Sequence, residues 1–431
     1  MDTTGGKKKK PKHFRLQEQV EWIAMAFVLA LTVRCFVVEA YEIPTGSMAP
    51  TLYGSHFEVT CGSCGARFAV NAGQHGEYPS DFLCPACGAS GPAAAGSVRL
   101  YGGDRILVSK DYYLFTEPRR WEVFVFKSVE PGKQNTNFVK RLIGLPGERV
   151  DVRNGQIFIN GEIARKPGRV QEELWQGVYD GLNADRAAGY WRASSGWEAR
   201  PEGLLLSEAS QAWQAIQYDK PILDFYVYNG REGDNVVGDI LVQGHLNSEG
   251  PSGSLAVLIT NEEGTWKAVF SPMGPVLSVE LRLNEHLVDK ASPRISSERD
   301  FDFRFSVADA GQQVRVNGMT VIDHQTELTL DQAPKYTEAS GVAFEGQGSQ
   351  MLVSQVIIKR DVYYTLAILR PDRDPSVRPY GTDVAEGHYL GMGDNSPISS
   401  DSRWWGQVPE ENVLGKAFFV FWPPTRVGPV F

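Results

Sequence analysis

The chain has 431 residues, a net charge of −9 and a hydrophobic fraction of 42%, enough apolar material for roughly two or three domains and too much for a disordered polymer. Five cysteines in this length exclude a disulfide-dense secreted scaffold. The one basic segment is the N-terminal tail with Lys7, Lys8, Lys9, Lys10, Lys12 and Arg15; because an apolar run follows at once, it reads as a cytoplasmic anchor flank, and no nucleic acid is expected as a partner.

Residues 1–20 form that tail. Apolar residues then run from Trp22 to Val33, Arg34 interrupts, and Cys35-Phe-Val-Val38 completes a stretch of about 17 residues, the lower limit for crossing a bilayer. Arg34 is tolerable near one end, where its guanidinium reaches the headgroups. The reading is a transmembrane anchor over residues 21–40, with the N-terminus in the cytoplasm and the remainder on the extracytoplasmic side of the cytoplasmic membrane. A cleaved signal peptide and a buried soluble helix are the rival readings. The anchor is preferred because the run leads directly into Ile43-Pro-Thr-Gly-Ser-Met-Ala-Pro-Thr-Leu52. The prolines and glycine of that stretch forbid a helix and leave one small hydroxyl, Ser47, in a rigid turn. Taken alone, an ordinary turn accounts for it.

Residues 57–98 hold the other four cysteines as Cys61-Gly-Ser-Cys64-Gly and Cys84-Pro-Ala-Cys87-Gly. Each pair is a knuckle whose backbone can turn about one metal ion, and the 19-residue spacer fits a zinc ribbon with four sulfurs in tetrahedral array. Two disulfides are the alternative, since the segment falls outside the cytoplasm. Either role is structural, because a closed four-ligand site leaves no open position for chemistry.

Alternating strands follow at Arg105–Lys110, Trp121–Phe126, Phe138–Ile143 and Val150–Ile159, the last containing the hairpin signal Asn154-Gly155. Lys140 stands inside an apolar strand pattern. From 165 to 375 the texture changes. After a polar stretch rich in Trp and Tyr, period-2 runs recur at Leu223–Tyr228, Ile240–Gly244, Leu255–Ile259, Val276–Leu283, Phe301–Ser306, Val314–Ile322 and Val353–Ile358. This predicts a β-sandwich or jelly roll resembling concanavalin/laminin-G-like modules, a docking surface with carbohydrate or protein as its candidate ligand. The chain closes with Gly387–Val408, dense in polar groups that include Asp394, Asn395, Ser399, Asp401 and Arg403, and an apolar strand from Ala417 to Trp422.

A serine nucleophile needs a base, and the seven histidines form no Ser/His/Asp order. A lysine serves if it is neutral. At an ordinary pKa only on the order of one in a few thousand is neutral at pH 7, and burial lowers that pKa by several units. Lys140, among Phe138, Val139, Leu142 and Ile143, is the lysine best placed for this.

On these residues the chain resembles type I signal peptidases, the membrane-anchored Ser/Lys proteases of family S26. Ser47-Met-Ala-Pro-Thr-Leu52 is similar to the nucleophile box, Gly103-Asp-Arg-Ile-Leu-Val108 to the strand after it, Lys140-Arg-Leu-Ile-Gly-Leu-Pro-Gly-Glu148 to the base box, and Gly393-Asp-Asn395 with Ser399-Ser-Asp-Ser-Arg403 to the C-terminal box. The resemblance covers roughly residues 20–56, 99–162 and 385–425. It implies that Ser47 is the acylating nucleophile and Lys140 its base. Thr45 would be an oxyanion donor beside the Ser47 N–H, Ser399 would orient the lysine amine, and Asp401 with Arg403 would form a supporting ion pair. It further implies a mainly β fold in which a catalytic domain, split into 41–164 and 376–431, rests on the lipid bilayer and cuts exported preproteins after small residues at −1 and −3, with no cofactor for catalysis. Ser396-Pro-Ile398 stands where the family has Arg-Asp/Asn-Asn. The zinc-ribbon-like and sandwich insertions are atypical of the family.

Overall fold

The computed structural model describes residues 18–28, 37–63, 65–72, 82–84, 89–91, 98–181, 187–194, 196–224, 228, 233–250, 252–273, 276–334, 337, 340–365 and 381–431. The fold is mainly β. Its first unit is a sheet in the order Val38–Glu42, Arg105–Ser109, Val413–Trp422, Val123–Lys127, Asn137–Gly144, His388–Met392 and Val408–Pro409, with Gly428–Pro429 added on Val413–Trp422. The strand His388–Met392 pairs antiparallel with Asn137–Gly144, although the whole sandwich lies between them in sequence. Everything inserted there therefore leaves and re-enters at the sheet margin, where chain can be added without breaking a ladder. One side of the sheet is packed by Ile43, Met48, Leu52, Ile106, Val108, Val123, Val125, Ala417 and Val420.

A second, four-stranded sheet runs Glu162–Ile163, Gln156–Ile159, Arg149–Arg153 and Thr382–Asp383. The Asn154-Gly155 signal forms its hairpin: φ is +50° and +77° at the two turn residues, and Arg153 pairs with Gln156.

The sandwich has two antiparallel sheets. One is Trp197–Arg200, Gly203–Leu206, Met351–Arg360, Ile240–Ser248, Asp300–Ala308, Gly311–Val316 and Met319–Gln325, with Gln176–Asp180 also on Met351–Arg360. The other is Trp191–Ala193, Gln214–Tyr218, Gly341–Gln347, Ser254–Asn261, Gly264–Met273, Val276–Leu283 and His286–Ala291. Strand alternation builds the core: Phe301, Phe303, Phe305 and Val307 point inward while Asp302, Arg304 and Ser306 point out, and the inward set meets Leu255, Val257, Trp266, Phe270 and Phe344 of the other sheet.

Several expectations change here. Val38–Glu42 is a strand paired with Arg105–Ser109, so the span expected at 21–40 ends before Val38 and the strand belongs to the first sheet. Residues 18–28 are helical, with Trp22, Ile23, Met25, Phe27 and Val28 all exposed; residues 29–36 lie outside the described residues. Among the described residues no helix is long and apolar enough to cross a membrane. Of the strand expected at Leu223–Tyr228, residues 225–227 lie outside the described residues. Leu223 makes a single bridge to Val236, and Tyr228 is buried elsewhere. Val314–Ile322 is two strands, turned at Asn317-Gly318 with φ of +49° and +77°. The helix Gly168–Leu174, expected within the sandwich, instead packs Val170 and Leu174 with Trp121, Ile143 and Met392 of the first unit.

A buried polar node joins the sandwich to the four-stranded sheet. Lys166 Nζ donates to Asp309 at 2.6 Å and to Asp361 at 2.7 Å. Gln156 Nε2 donates to Asp239 Oδ1 at 3.3 Å. Burial, with Asp309 and Asp361 beside it, pushes Asp239 well above the usual carboxylate range.

Phe344 is fully buried between the sandwich sheets, its ring 5.6 Å from Trp191 and 6.2 Å from Phe303. Phe344→Ala is expected to lower the stability of the sandwich by about 3–5 kcal/mol, read from the denaturant transition followed by tryptophan fluorescence.

Candidate active site

The segment around Ser47 is fixed from both sides. Met48 and Leu52, each at most 1% exposed, are anchored in the apolar layer under the sheet, with the half-buried Ser47 directly before them. Gly46–Met48 forms one 3₁₀ turn after an extended Thr45. The Asn395 amide donates to the Ser47 carbonyl at 3.0 Å, and Asn395 Nδ2 donates to the Gly46 carbonyl at 2.9 Å. Arg426 holds the exit of the segment, donating to the Thr51 carbonyl at 2.9 Å and to Asp104 Oδ1 at 2.9 Å.

Successive side chains of a strand face opposite ways, and the strand Asn137–Gly144 uses this to separate two cations. Lys140 faces the serine: Lys140 Nζ donates to Ser47 Oγ at 2.8 Å, bringing together residues 93 apart in sequence. The Lys140 side chain is buried beside the Phe138 ring, and burial pushes its pKa down to about 8, against the opposing pull of Asp401 and Asp394. Gly391 on the neighbouring strand leaves room for it, since a Cβ there would lie 3.1 Å from the Lys140 Cβ.

Arg141 faces the other way and is fully buried. Its Nε and Nη2 donate to the two oxygens of Asp394 at 2.7 and 2.8 Å, Nη1 donates to the Trp121 carbonyl at 2.7 Å, and Nη2 donates to Thr51 Oγ1 at 3.1 Å. This bidentate pair ties the lysine strand, the serine segment and the C-terminal loop to one point. The sequence pattern assigned no role to Arg141, Asp394 or Asn395. An arginine in an apolar strand beside a candidate base, with a buried acid expected somewhere to match it, was the available signal.

The C-terminal loop is organised by Asp401. Its carboxylate accepts from the Gly393 amide at 3.0 Å, from Arg403 Nε at 2.8 Å and from Arg403 Nη2 at 2.6 Å. Burial alone would raise its pKa, but the Arg403 guanidinium beside it prevails and holds the carboxyl below its ordinary value. Ser396, the departure from the family pattern, is taken up by a contact with the end of the insertion: Arg403 Nη1 donates to Ser396 Oγ at 2.7 Å, and the Thr365 amide donates to the same oxygen at 2.8 Å. Ser399 is fully buried, and its Oγ makes no hydrogen bond among the described residues, so the expected link to Lys140 is not formed. It is nonetheless adjacent: a Cβ on Gly393 would fall 2.2 Å from Ser399 Oγ and 2.4 Å from the Ser47 carbonyl oxygen. Thr45 is exposed, and its side chain caps nothing.

Cys61 and Cys84 are buried in one cluster with Ala66. Their loops close alike: the Cys61 amide donates to the Ala66 carbonyl at 2.8 Å and the Cys84 amide to the Ala89 carbonyl at 2.9 Å, each five residues on. The Ser63 amide points at Cys61 Sγ, 3.4 Å away. This fits a metal-binding knuckle at each cysteine. Cys64 and Cys87 lie outside the described residues.

A buried lysine amine on a serine hydroxyl, inside a β scaffold and backed by an arginine–aspartate pair, defines a serine–lysine site. A sequence profile of the family described as "Signal peptidase, peptidase S26" matches residues 94–186 and 307–422, which include Lys140, Ser399, Asp401 and Arg403. Over these two stretches, which begin after Ser47, the chain is similar to that family. It is 34% identical over 152 residues to signal peptidase I of Leptolyngbya laminosa, covering 34% of this chain and 51% of that protein. It is 25% identical over 203 residues to the probable signal peptidase I-2 of Synechocystis sp., covering 44% of this chain and 71% of that one. The chain thus spans about half the length of the first of these relatives. Among solved structures, the carbohydrate binding module CBM66 from Bacillus subtilis aligns at 10% identity over 39% of this chain and 95% of its own, with a TM-score of 0.28, too low to bear on a ligand.

Arg141 and Ser399 separate two kinds of buried polar group. Asp394→Ala removes the bidentate partner of the buried Arg141, leaving it Glu173 at 3.3 Å as its carboxylate, and is expected to lower stability by about 3 kcal/mol. Ser399→Ala removes a hydroxyl that makes no bond and should cost less than about 1 kcal/mol. Denaturant unfolding of the two variants side by side checks both.

Proposed function

We propose that this chain is a membrane-bound signal peptidase I that removes signal peptides from exported preproteins through a Ser47/Lys140 acyl-enzyme, cutting after small residues at −1 and −3. The observation that carries the reading is the 2.8 Å contact between the Lys140 amine and the Ser47 hydroxyl, with the lysine buried enough to bring its pKa to about 8. In its neutral form Lys140 takes the Ser47 proton as Oγ attacks the scissile carbonyl, then delivers it to the leaving amine; the new N-terminus departs and the acyl group stays on Ser47. Water, deprotonated by the same lysine, then releases the signal peptide. The Ser47 N–H, with Thr45 turning its exposed hydroxyl inward, would receive the oxyanion, and such donors act on charge that exists only in the transition state. Asp401 and Arg403 hold the loop that backs Lys140. The all-round exposure of the apolar helix at 18–28 supports an N-terminal membrane anchor in the cytoplasmic membrane, with the catalytic domain outside.

Ser47→Ala and Lys140→Ala are each expected to abolish cleavage of a preprotein carrying Ala at −1 and −3, assayed with the purified protein in detergent or lipid. Cleavage retained by either variant removes the dyad. Because the base form of Lys140 is the neutral amine, kcat/KM should rise with pH and level off above about pH 8.

We also propose a structural zinc held by Cys61, Cys64, Cys84 and Cys87, on the matching backbone loops at Cys61 and Cys84. Metal analysis of the purified protein should return about one zinc per chain. No zinc together with a single titratable thiol in the unfolded chain, that of Cys35, would assign these four residues to disulfides instead.

A further inference from the structure

Gly46, the residue before the nucleophile, is closed off by a side chain from the sandwich. A Cβ on Gly46 would lie 2.3 Å from Cε1 of Tyr228 and 2.8 Å from its hydroxyl. Tyr228 is 1% exposed and sits on the connection between the sandwich strands Gln214–Tyr218 and Ile240–Ser248. Its ring stacks on Tyr53, with centroids 5.2 Å apart and planes at 11°. Tyr53 in turn meets His56 at 5.1 Å, and His56 stacks on Tyr101 at 5.8 Å. His56 and Tyr101 are paired residues of a three-stranded sheet, Arg67–Asn71, His56–Thr60 and Arg99–Tyr101, whose first hairpin holds Cys61. Four rings therefore run from one insertion to the other behind the nucleophile segment.

The column grips one peptide unit. The Gly54 carbonyl lies 2.8 Å from His56 Nδ1, and Tyr53, the residue before Gly54, carries the ring on which Tyr228 stacks. A Cβ on Gly54 would fall 2.3 Å from the Thr45 carbonyl carbon and 2.6 Å from the Gly46 nitrogen. The Thr45–Gly46 peptide is thus held by Gly54 and by Tyr228. One residue on lies the Ser47 N–H, and one residue back is the Thr45 hydroxyl.

We infer that Tyr228 is a positioning residue for Ser47: the sandwich supplies the rear support of the nucleophile segment and fixes the Thr45–Gly46 backbone that leads into the Ser47 N–H. The inference rests on the Ser47/Lys140 reading above. Tyr228 touches no reacting atom. Its loss is expected to act on turnover rather than on substrate affinity, since misplacement of a reacting group by about 1 Å lowers the rate by about a hundredfold.

The test uses the full chain in detergent and compares wild type, Tyr228→Phe, Tyr228→Ala and Ser47→Ala. By hydrogen exchange, Tyr228→Ala should exchange about tenfold or more faster across residues 45–48, while the sandwich core strands 301–307 and 342–344 stay protected. Tyr228→Phe keeps the ring and should follow wild type. For a signal-peptide substrate, Tyr228→Ala should lower kcat by about 10- to 100-fold with KM within about twofold, and Tyr228→Phe should restore most of that loss. Gly46→Ala drives a methyl into the Tyr228 ring, so the double variant Gly46→Ala/Tyr228→Ala should lose less activity than the product of the two single losses. Unchanged exchange at 45–48 in Tyr228→Ala, or a loss confined to KM, overturns the inference. Exchange needs no turnover: if wild type cleaves no faster than Ser47→Ala, the peptidase reading fails while the exchange comparison still decides whether Tyr228 holds the segment.

Discussion

A lysine amine must be kept out of water and yet within reach of a serine hydroxyl, and most of the architecture around the site serves that requirement. Burial destabilises the charged amine and lowers its pKa. Nearby carboxylates would undo this, and two are close. Asp394 and Asp401 are instead bonded to guanidinium groups, Arg141 and Arg403 respectively, so each negative charge is engaged before it can hold the proton on Lys140. The two arginines are thus part of the acid–base balance of the lysine although neither bonds to it.

The same pairs are mechanical. Arg141 binds Asp394 and the Thr51 hydroxyl, and Asn395, next to Asp394, binds the Gly46 and Ser47 carbonyls. Nucleophile, base and C-terminal loop come from three distant parts of the chain, and each is fastened to the others by buried, charge-assisted or backbone hydrogen bonds. The insertions join this network: Thr365 bonds Ser396 near Arg403, and Tyr228 closes on Gly46. The buried node of Lys166 with Asp309 and Asp361 fixes the sandwich to the four-stranded sheet.

Much of this was legible in the sequence where the signal is local. Lys140 stood out as a lysine among apolar neighbours, Ser47 gained weight only beside Lys140 and the motif boxes, the Asn154-Gly155 hairpin was readable from its turn chemistry, and the sandwich from its period-2 runs. What escaped was non-local. Nothing within Lys140-Arg141 says that the arginine meets an aspartate 253 residues away. The strand Gly264–Met273 was missed because Gly264, Lys267, Ser271 and Pro272 interrupt its apolar pattern, although Trp266, Ala268 and Phe270 alternate inward. Tyr228, read from the sequence as part of a strand, packs its ring against Tyr53 and Gly46. Ser399 was legible as part of a motif, while its hydroxyl points to no partner among the described residues.

Lys140 and Arg141 are neighbours on one strand, and this carries a consequence for how the chain can vary. Their division of labour depends on parity. A strand that gains or loses one residue between its ladder contacts turns every later side chain over, and here that would swing the Lys140 amine away from Ser47. Whole domains have been added at the margins of this sheet with the site intact. Deletion of a single residue between Asn137 and Lys140 would put Arg141 where Lys140 stands and exchange a titratable amine for a permanent cation. Length is free at the edges of the sheet and quantised inside it.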